Sequence, residues 1–196
     1  MSDRVGLRTL ILNANYMPLS LFPLSTENAE DAMKRVFSGS CDVVLEYDRR
    51  IKTQNKDIHM NWASILVRKA HDIPDVGVRA FPDAESLYYR DMGRCAYCRK
   101  ELTIDEVTCD HVYPASFGGG FNWDNIVAAC SDCNNTKGNA LPEGQWAPKA
   151  RAYVPTYWDL LKNRRKFPLY VDDLNWTDFL LPWVGGIKLR AGIANL

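Results

Sequence analysis

Two short cysteine pairs, Cys95-Ala96-Tyr97-Cys98 and Cys130-Ser131-Asp132-Cys133, decide how the middle of this 196-residue chain folds. Thirty-one residues separate the two pairs. Four thiolates at such a spacing are typical of a structural zinc site, in which the metal has no open coordination position. Iron would also accept four thiolates, and a redox dithiol needs only one such pair. The pairs therefore predict a hairpin held by a metal, with zinc favoured, and the predicted ligands are Cys95, Cys98, Cys130 and Cys133.

The segment between the cysteine pairs predicts two strands. Residues 107–112 are rich in β-type residues and contain Asp110-His111, which a strand would point to opposite faces. A glycine-rich loop follows, and Ile126–Ala129 reads as a second short strand. The second cysteine pair then begins a helix. The predicted order is strand, strand, helix.

This arrangement resembles the HNH, or ββα-metal, nuclease family in its four-cysteine, zinc-stapled form. The similarity covers about residues 94–140 and rests on four motifs. These are the first Cys-x-x-Cys, Asp110-His111-Val112-Tyr113-Pro114 with Gly118-Gly119, Trp123-Asp124-Asn125-Ile126-Val127, and Cys130 to Gly138 with Asn134 and Lys137. Residues 10–20 also resemble the leader of bacterial HNH endonuclease-like proteins.

The resemblance implies a role for each polar residue of the motif. His111 matches the general base that takes a proton from the attacking water, and Asp110 matches a metal-binding acid. Asn125 matches the asparagine that braces the loop, and Asn134 matches a metal ligand that is histidine in many members. Because Asp110 and Asn134 are oxygen donors, we expect Mg²⁺ or Mn²⁺ as the catalytic ion.

The remaining sequence predicts an α+β protein of three parts. Residues 1–90 form a small mixed α/β region, residues 91–140 form the HNH module, and residues 141–196 form a helical and irregular extension that packs on the rest. In the first part, a helix capped by Ser25 or Thr26 is expected to end at Gly39. Residues 61–70 fit either a strand or a helix.

Charge is unevenly distributed although the net charge is zero. Residues 91–140 carry four basic and seven acidic side chains, whereas residues 141–196 carry eight and five. A polyanion must therefore be held by local basic groups and bound cations. The predicted phosphate contacts are Arg94, Arg99, Lys100 and Lys137, and the run Lys162 to Lys166 is a further candidate.

These observations predict a metal-dependent endonuclease that hydrolyses DNA phosphodiester bonds. The alternative is a non-catalytic, zinc-containing DNA-binding module. One HNH site cuts one strand, so double-strand cleavage would require a homodimer or two sequential events. No apolar run approaches the ~20 residues of a membrane span, so we expect no membrane partner and a cytoplasmic location.

Overall fold

The computed structural model describes residues 6–51, 59–71, 81–180 and 182–190. Two compact units make up the chain. The first combines Met1–Val76 with Arg165–Leu196, and the second is the continuous segment Gly77–Arg164. The second unit covers more of the sequence than the predicted module of residues 91–140. It also includes a helix before the cysteine pairs and a helix after them, which pack against each other.

The chain contains both helices and strands, in three separate sheets, which confirms the predicted α+β class. In chain order they are β1 (Arg8–Leu12), β2 (Thr26–Asn28), α1 (Ala29–Phe37), β3 (Cys41–Arg50), β4 (Asn61–Arg68), α2 (Ala84–Arg90), β5 (Thr108–His111), β6 (Ile126–Ala129), α3 (Ser131–Lys137), α4 (Tyr157–Arg164), β7 (Leu169–Val171) and β8 (Ile187–Leu189). Short 3-10 helices connect them, the longest at Leu174–Phe179. Within the described residues, no helix is long and apolar enough to cross a membrane.

The first unit is built on a four-stranded sheet in the order β2-β1-β4-β3. Strand β1 runs parallel to β4, and β3 runs antiparallel to it. The segment that fitted either a strand or a helix is strand β4, whose residues 63–67 are all buried. A central strand that is covered on both faces has a continuous apolar run instead of an alternating one, which explains the ambiguity.

Helix α1 begins later than its sequence predicts. Its N-cap is Asn28, whose side chain accepts a hydrogen bond from the Asp31 N–H at 2.8 Å. Thr26 cannot cap the helix because it pairs with β1, and the Ser25 hydroxyl instead donates to the Ile11 carbonyl at 2.9 Å. Pairing in the sheet therefore overrides the first capping signal.

The C-terminal segment completes the first unit. The Asp172 carboxylate accepts the Arg8 backbone N–H at 2.8 Å, and Asp173 accepts the Ser64 hydroxyl at 2.5 Å. The Trp176 indole is 1% exposed and donates to the same Ser64 oxygen at 2.9 Å. Residues more than a hundred positions apart in sequence thus share one buried polar cluster.

The second unit contains the predicted order of strand, strand and helix. Strands β5 and β6 form an antiparallel hairpin in which Asp110 lies opposite Val127 and His111 opposite Ile126. Every residue of β6 is buried, in a core that also includes Leu87 of α2 and Trp123. Helix α3 begins directly after β6.

A buried ion pair at the end of α2 connects the parts of this unit. The Arg90 guanidinium binds both oxygens of Asp91, at 2.8 and 3.0 Å, and both side chains are at most 2% exposed. It also donates to the carbonyls of Trp123, Ile126 and Tyr153 at 2.9, 2.7 and 3.2 Å. These five bonds match the five N–H groups of a guanidinium. Arg90 therefore joins α2, the loop before β6, β6 itself and the segment before α4.

Replacing Asp91 with alanine should destabilise the second unit by about 3 to 5 kcal/mol, since the Arg90 charge would remain buried without its partner. Urea unfolding of the full chain, followed by tryptophan fluorescence, measures the change. Arg94→Ala is the matched control, because it breaks the ion pair with Glu101, in which both side chains are more than two-fifths exposed, and should cost less than about 1 kcal/mol. Equal effects of the two substitutions would contradict the assigned role of the buried pair.

Candidate active site and metal centre

The four cysteines of the two pairs form one cluster. Their sulfur atoms all lie within 4.8 Å of one another, and those of Cys98 and Cys130 are 3.9 Å apart. A tetrahedral zinc ion with Zn–S bonds of about 2.3 Å requires sulfur atoms about 3.8 Å apart. The cluster therefore has the size and ligand type for a metal such as zinc, and it uses all four predicted ligands.

The surroundings of the cysteines favour the thiolate at Cys95 and oppose it at Cys133. Burial raises the pKa of the Cys95 thiol, but the N–H groups of Cys130, Cys98 and Tyr97 outweigh burial and bring this pKa down to about 7. Burial, together with the neighbouring sulfurs, raises the pKa of Cys133. Four crowded thiols of this kind ionise together only when a cation balances their charge.

The predicted catalytic pair, Asp110 and His111, lies on β5 within the hairpin. The Asp110 side chain is 6% exposed and accepts a hydrogen bond from the Tyr97 hydroxyl. The ammonium of Lys137 lies 3.2 and 3.4 Å from its two oxygens. Because Tyr97 belongs to the first cysteine pair and Lys137 to α3, this carboxylate joins the cysteine cluster to the hairpin and the helix.

Lys137 lies inside the unit instead of on the surface predicted for a phosphate contact. Its side chain is 0% exposed and also donates to the His111 carbonyl at 2.6 Å. The buried Asp110 carboxylate requires a counter-charge, and Lys137 supplies it.

His111 is half-buried at the end of β5. Its imidazole ring packs against the ring of Phe121, with centroids 5.7 Å apart and an angle of 61° between the planes. The bond from Lys137 to its carbonyl fixes the backbone at this residue. The backbone that carries this side chain is thus held in place, and the imidazole ring remains partly accessible to solvent.

Asn125 bridges the two ends of the glycine-rich loop. Its side-chain oxygen accepts the Tyr113 N–H at 2.8 Å, and its amide group donates to the carbonyls of Tyr113 and Gly120, each at 3.0 Å. Gly119 is required beside it, since a Cβ atom there would lie 1.8 Å from the Tyr113 carbonyl oxygen. This geometry corresponds to the bracing role that the resemblance implies for Asn125.

Asn134 faces the hairpin from the first turns of α3. Its amide donates to the Thr108 hydroxyl at 3.0 Å. Thr108 and Asp110 are two residues apart on one strand, so their side chains share a face of β5. Asn134 therefore lies against the face of β5 that also carries Asp110, and on that face its amide binds Thr108.

The other predicted phosphate contacts lie around the first cysteine pair. Arg94 pairs with Glu101 at 2.5 Å, and Lys100 lies 4.0 Å from Glu106. Arg99 adopts a positive φ of 66° in the turn that follows Cys98. Exposed acidic side chains therefore partly neutralise the positive charge of two of these three basic residues.

Three residues at the centre of the unit were not predicted from the sequence. They are Tyr97, Arg90 and Asp91. Burial raises the pKa of the Tyr97 hydroxyl, as does its hydrogen bond to the Asp110 carboxylate, so this phenol remains a donor. The position of Tyr97 inside Cys-x-x-Cys could have indicated its place beside the cluster. Arg90 and Asp91 lie before the four motifs of residues 94–140, so no motif pointed to them.

Comparison with known proteins agrees with this geometry. Residues 95–144 match a family model described as HNH endonuclease. The CRISPR-associated endonuclease Cas9 of Corynebacterium diphtheriae is 40% identical over 55 residues, which are 28% of this chain and 5% of that relative. The similarity therefore concerns one domain and not the whole protein. Residues 95–144 of this chain are therefore similar to an HNH endonuclease domain, and the cysteine cluster within them fits the zinc-stapled type.

Proposed function

We propose that this protein is a metal-dependent endonuclease that hydrolyses DNA phosphodiester bonds with His111 as general base. The observation that carries the proposal is the hairpin itself, which holds His111 and Asp110 as neighbours on β5 with Asn125 bracing the adjoining loop. The HNH domain supports nuclease chemistry, and the name of its Corynebacterium relative, an endonuclease, supports the same reaction. DNA as the substrate follows from the family resemblance.

In the proposed reaction, a nitrogen of the His111 imidazole accepts a proton from water. The water oxygen attacks phosphorus, and the bond from phosphorus to the 3′ oxygen breaks. The products are a 5′-phosphate and a 3′-hydroxyl, and the 3′ oxygen takes its proton from solvent. A neutral imidazole has one ring nitrogen that accepts a proton, which is the chemistry that a general base requires.

Asp110 and Asn134 are the residues proposed to hold the catalytic ion. Their donors are a carboxylate and an amide oxygen, a hard set that suits Mg²⁺ or Mn²⁺. Such an ion would stabilise negative charge on the phosphate and on the departing oxygen. Lys137 already balances the charge of Asp110 from inside the unit, so it would share this carboxylate with the ion.

The cysteine cluster is proposed to hold structural zinc. Four sulfur ligands leave no open position for substrate. Cys130 is the N-cap residue of α3 and follows β6 directly, so the ion would fix the angle between the hairpin and the helix that carries Asn134 and Lys137.

Cys130→Ser should remove the bound zinc and unfold the second unit, because structural zinc contributes its binding free energy to folding. Metal analysis of the purified chain should give one zinc per wild-type molecule and much less than one for the variant. Cys41→Ala, a buried cysteine outside the cluster, is the control and should keep its zinc. Full zinc content in Cys130→Ser would contradict the structural assignment.

His111→Ala should reduce plasmid nicking in Mg²⁺ or Mn²⁺ by about 10²- to 10⁴-fold, the usual contribution of a general base. Zinc content and the urea unfolding midpoint should stay close to wild type. The control is His71→Ala, an exposed histidine in the first unit, which should nick normally. Near-normal nicking by His111→Ala would overturn the mechanism, and DNA binding without nicking by wild type would support the non-catalytic alternative.

Asn125→Asp should lower kcat by about 10²-fold, since it keeps the acceptor for the Tyr113 N–H but places a carboxylate beside two carbonyls. Single-turnover cleavage and DNA affinity, measured separately, test whether the loss falls on kcat. Asn135→Asp, on the exposed side of α3, is the matched control. A loss confined to DNA affinity would show that Asn125 does not position the base.

A further inference from the structure

Three aromatic side chains on the segment that follows His111 are exposed, and we call them the aromatic rim. They are Tyr113, Phe117 and Phe121, which are 45%, 57% and 44% exposed. The Phe121 ring packs on His111, and the rings of Tyr113 and Phe117 lie 6.3 Å apart between centroids. Large apolar side chains exposed together beside a reactive group are typical of a ligand-binding surface.

The loop that carries the aromatic rim is held in one conformation. Asn125 binds the backbone of Tyr113 on one side and of Gly120, next to Phe121, on the other. Between them, the N–H groups of Phe117 and Gly119 both donate to the Pro114 carbonyl at 3.0 Å. The rim is therefore ordered before any ligand binds, which reduces the entropy cost of binding.

The charge around the aromatic rim does not favour phosphate groups. Residues 101–136 contain six acidic side chains and no lysine or arginine. The next basic residue, Lys137, is buried against Asp110. Residues 101–136 therefore offer DNA no basic side chain for its backbone, so contacts of this segment with DNA must involve another part of the nucleotide.

We infer that the aromatic rim stacks on unpaired bases next to the scissile phosphate. This inference rests on the proposed function for its substrate, DNA. An aromatic ring can stack on any of the four bases, so such binding is tolerant of sequence. In a duplex the faces of the bases are already stacked on each other, and a solvent-exposed ring cannot reach them without unstacking a step. Single strands, flaps and bubbles are therefore the preferred substrate class.

Fluorescence titration without added divalent ions tests binding separately from cleavage. The probes are a single-stranded oligonucleotide with 2-aminopurine at its centre, the same strand with abasic sites at and around that position, and the corresponding duplex. Wild type should quench the single-strand fluorescence and bind that strand at least about tenfold more tightly than the abasic strand or the duplex, the size expected for one stacked base.

Phe117→Ala should lose about tenfold in affinity for the base-bearing strand, with an unchanged salt dependence because no phosphate contact is removed. The control is Phe37→Ala, which removes a phenylalanine of similar exposure from the first unit and should bind as wild type does. Equal affinity for base-bearing and abasic strands, or normal binding by Phe117→Ala, would overturn the inference.

Cleavage assays distinguish this inference from the proposed function. Stacking on the base-bearing strand without cleavage of any DNA in Mg²⁺ or Mn²⁺ would support the aromatic rim and refute the nuclease. Cleavage by wild type at equal rates on single-stranded and duplex DNA would refute the rim's role and support the nuclease.

Discussion

The bidentate pair between Arg90 and Asp91 is the interaction on which the second unit depends. Arg90 uses all five N–H groups, and Asp91 also accepts the N–H of Ala128 at 2.8 Å. Strand β6 is therefore fixed at Ile126 and Ala128 by one buried residue pair, and the loop that contains Asn125 is fixed at Trp123. A charge pair in the interior costs desolvation free energy, and the full set of hydrogen bonds offsets this cost.

The sequence was sufficient to predict the segment from the first cysteine pair to α3, because its four cysteine ligands have the spacing of a structural metal site. The spacing of the cysteine pairs predicted the ligand cluster, and the β-type residues between the pairs predicted the hairpin. The bracing role of Asn125 came from the family resemblance. The position of Lys137 could not be predicted in the same way, since surface lysine and buried counter-ion are indistinguishable until the depth of Asp110 is known. Strand β4 was ambiguous for a related reason: full burial on both faces removes the alternation by which strands are recognised.

Arg90 and Asp91 show the other limit of sequence reasoning. Their roles depend on carbonyl groups of residues up to 63 positions away. Because every residue has a backbone carbonyl, the residue types do not indicate which carbonyls will be bound. Tyr97 lies between these cases. Its place between two metal-binding cysteines brings it to the hairpin, but only the three-dimensional arrangement shows that its hydroxyl meets Asp110. Arg90 was thus missed because three of its partners are backbone carbonyls of residues distant in sequence.

The division of the chain into one discontinuous and one continuous unit has a consequence for synthesis on the ribosome. The first unit needs Asp172, Asp173 and Trp176 to satisfy Arg8 and Ser64, so its polar cluster cannot close until the C-terminal segment has emerged. Gly77–Arg164 is one continuous segment, so all of its residues emerge before the C-terminal segment that the N-terminal strands require. Those strands, rich in apolar residues, are then the part of the nascent chain most dependent on protection from aggregation.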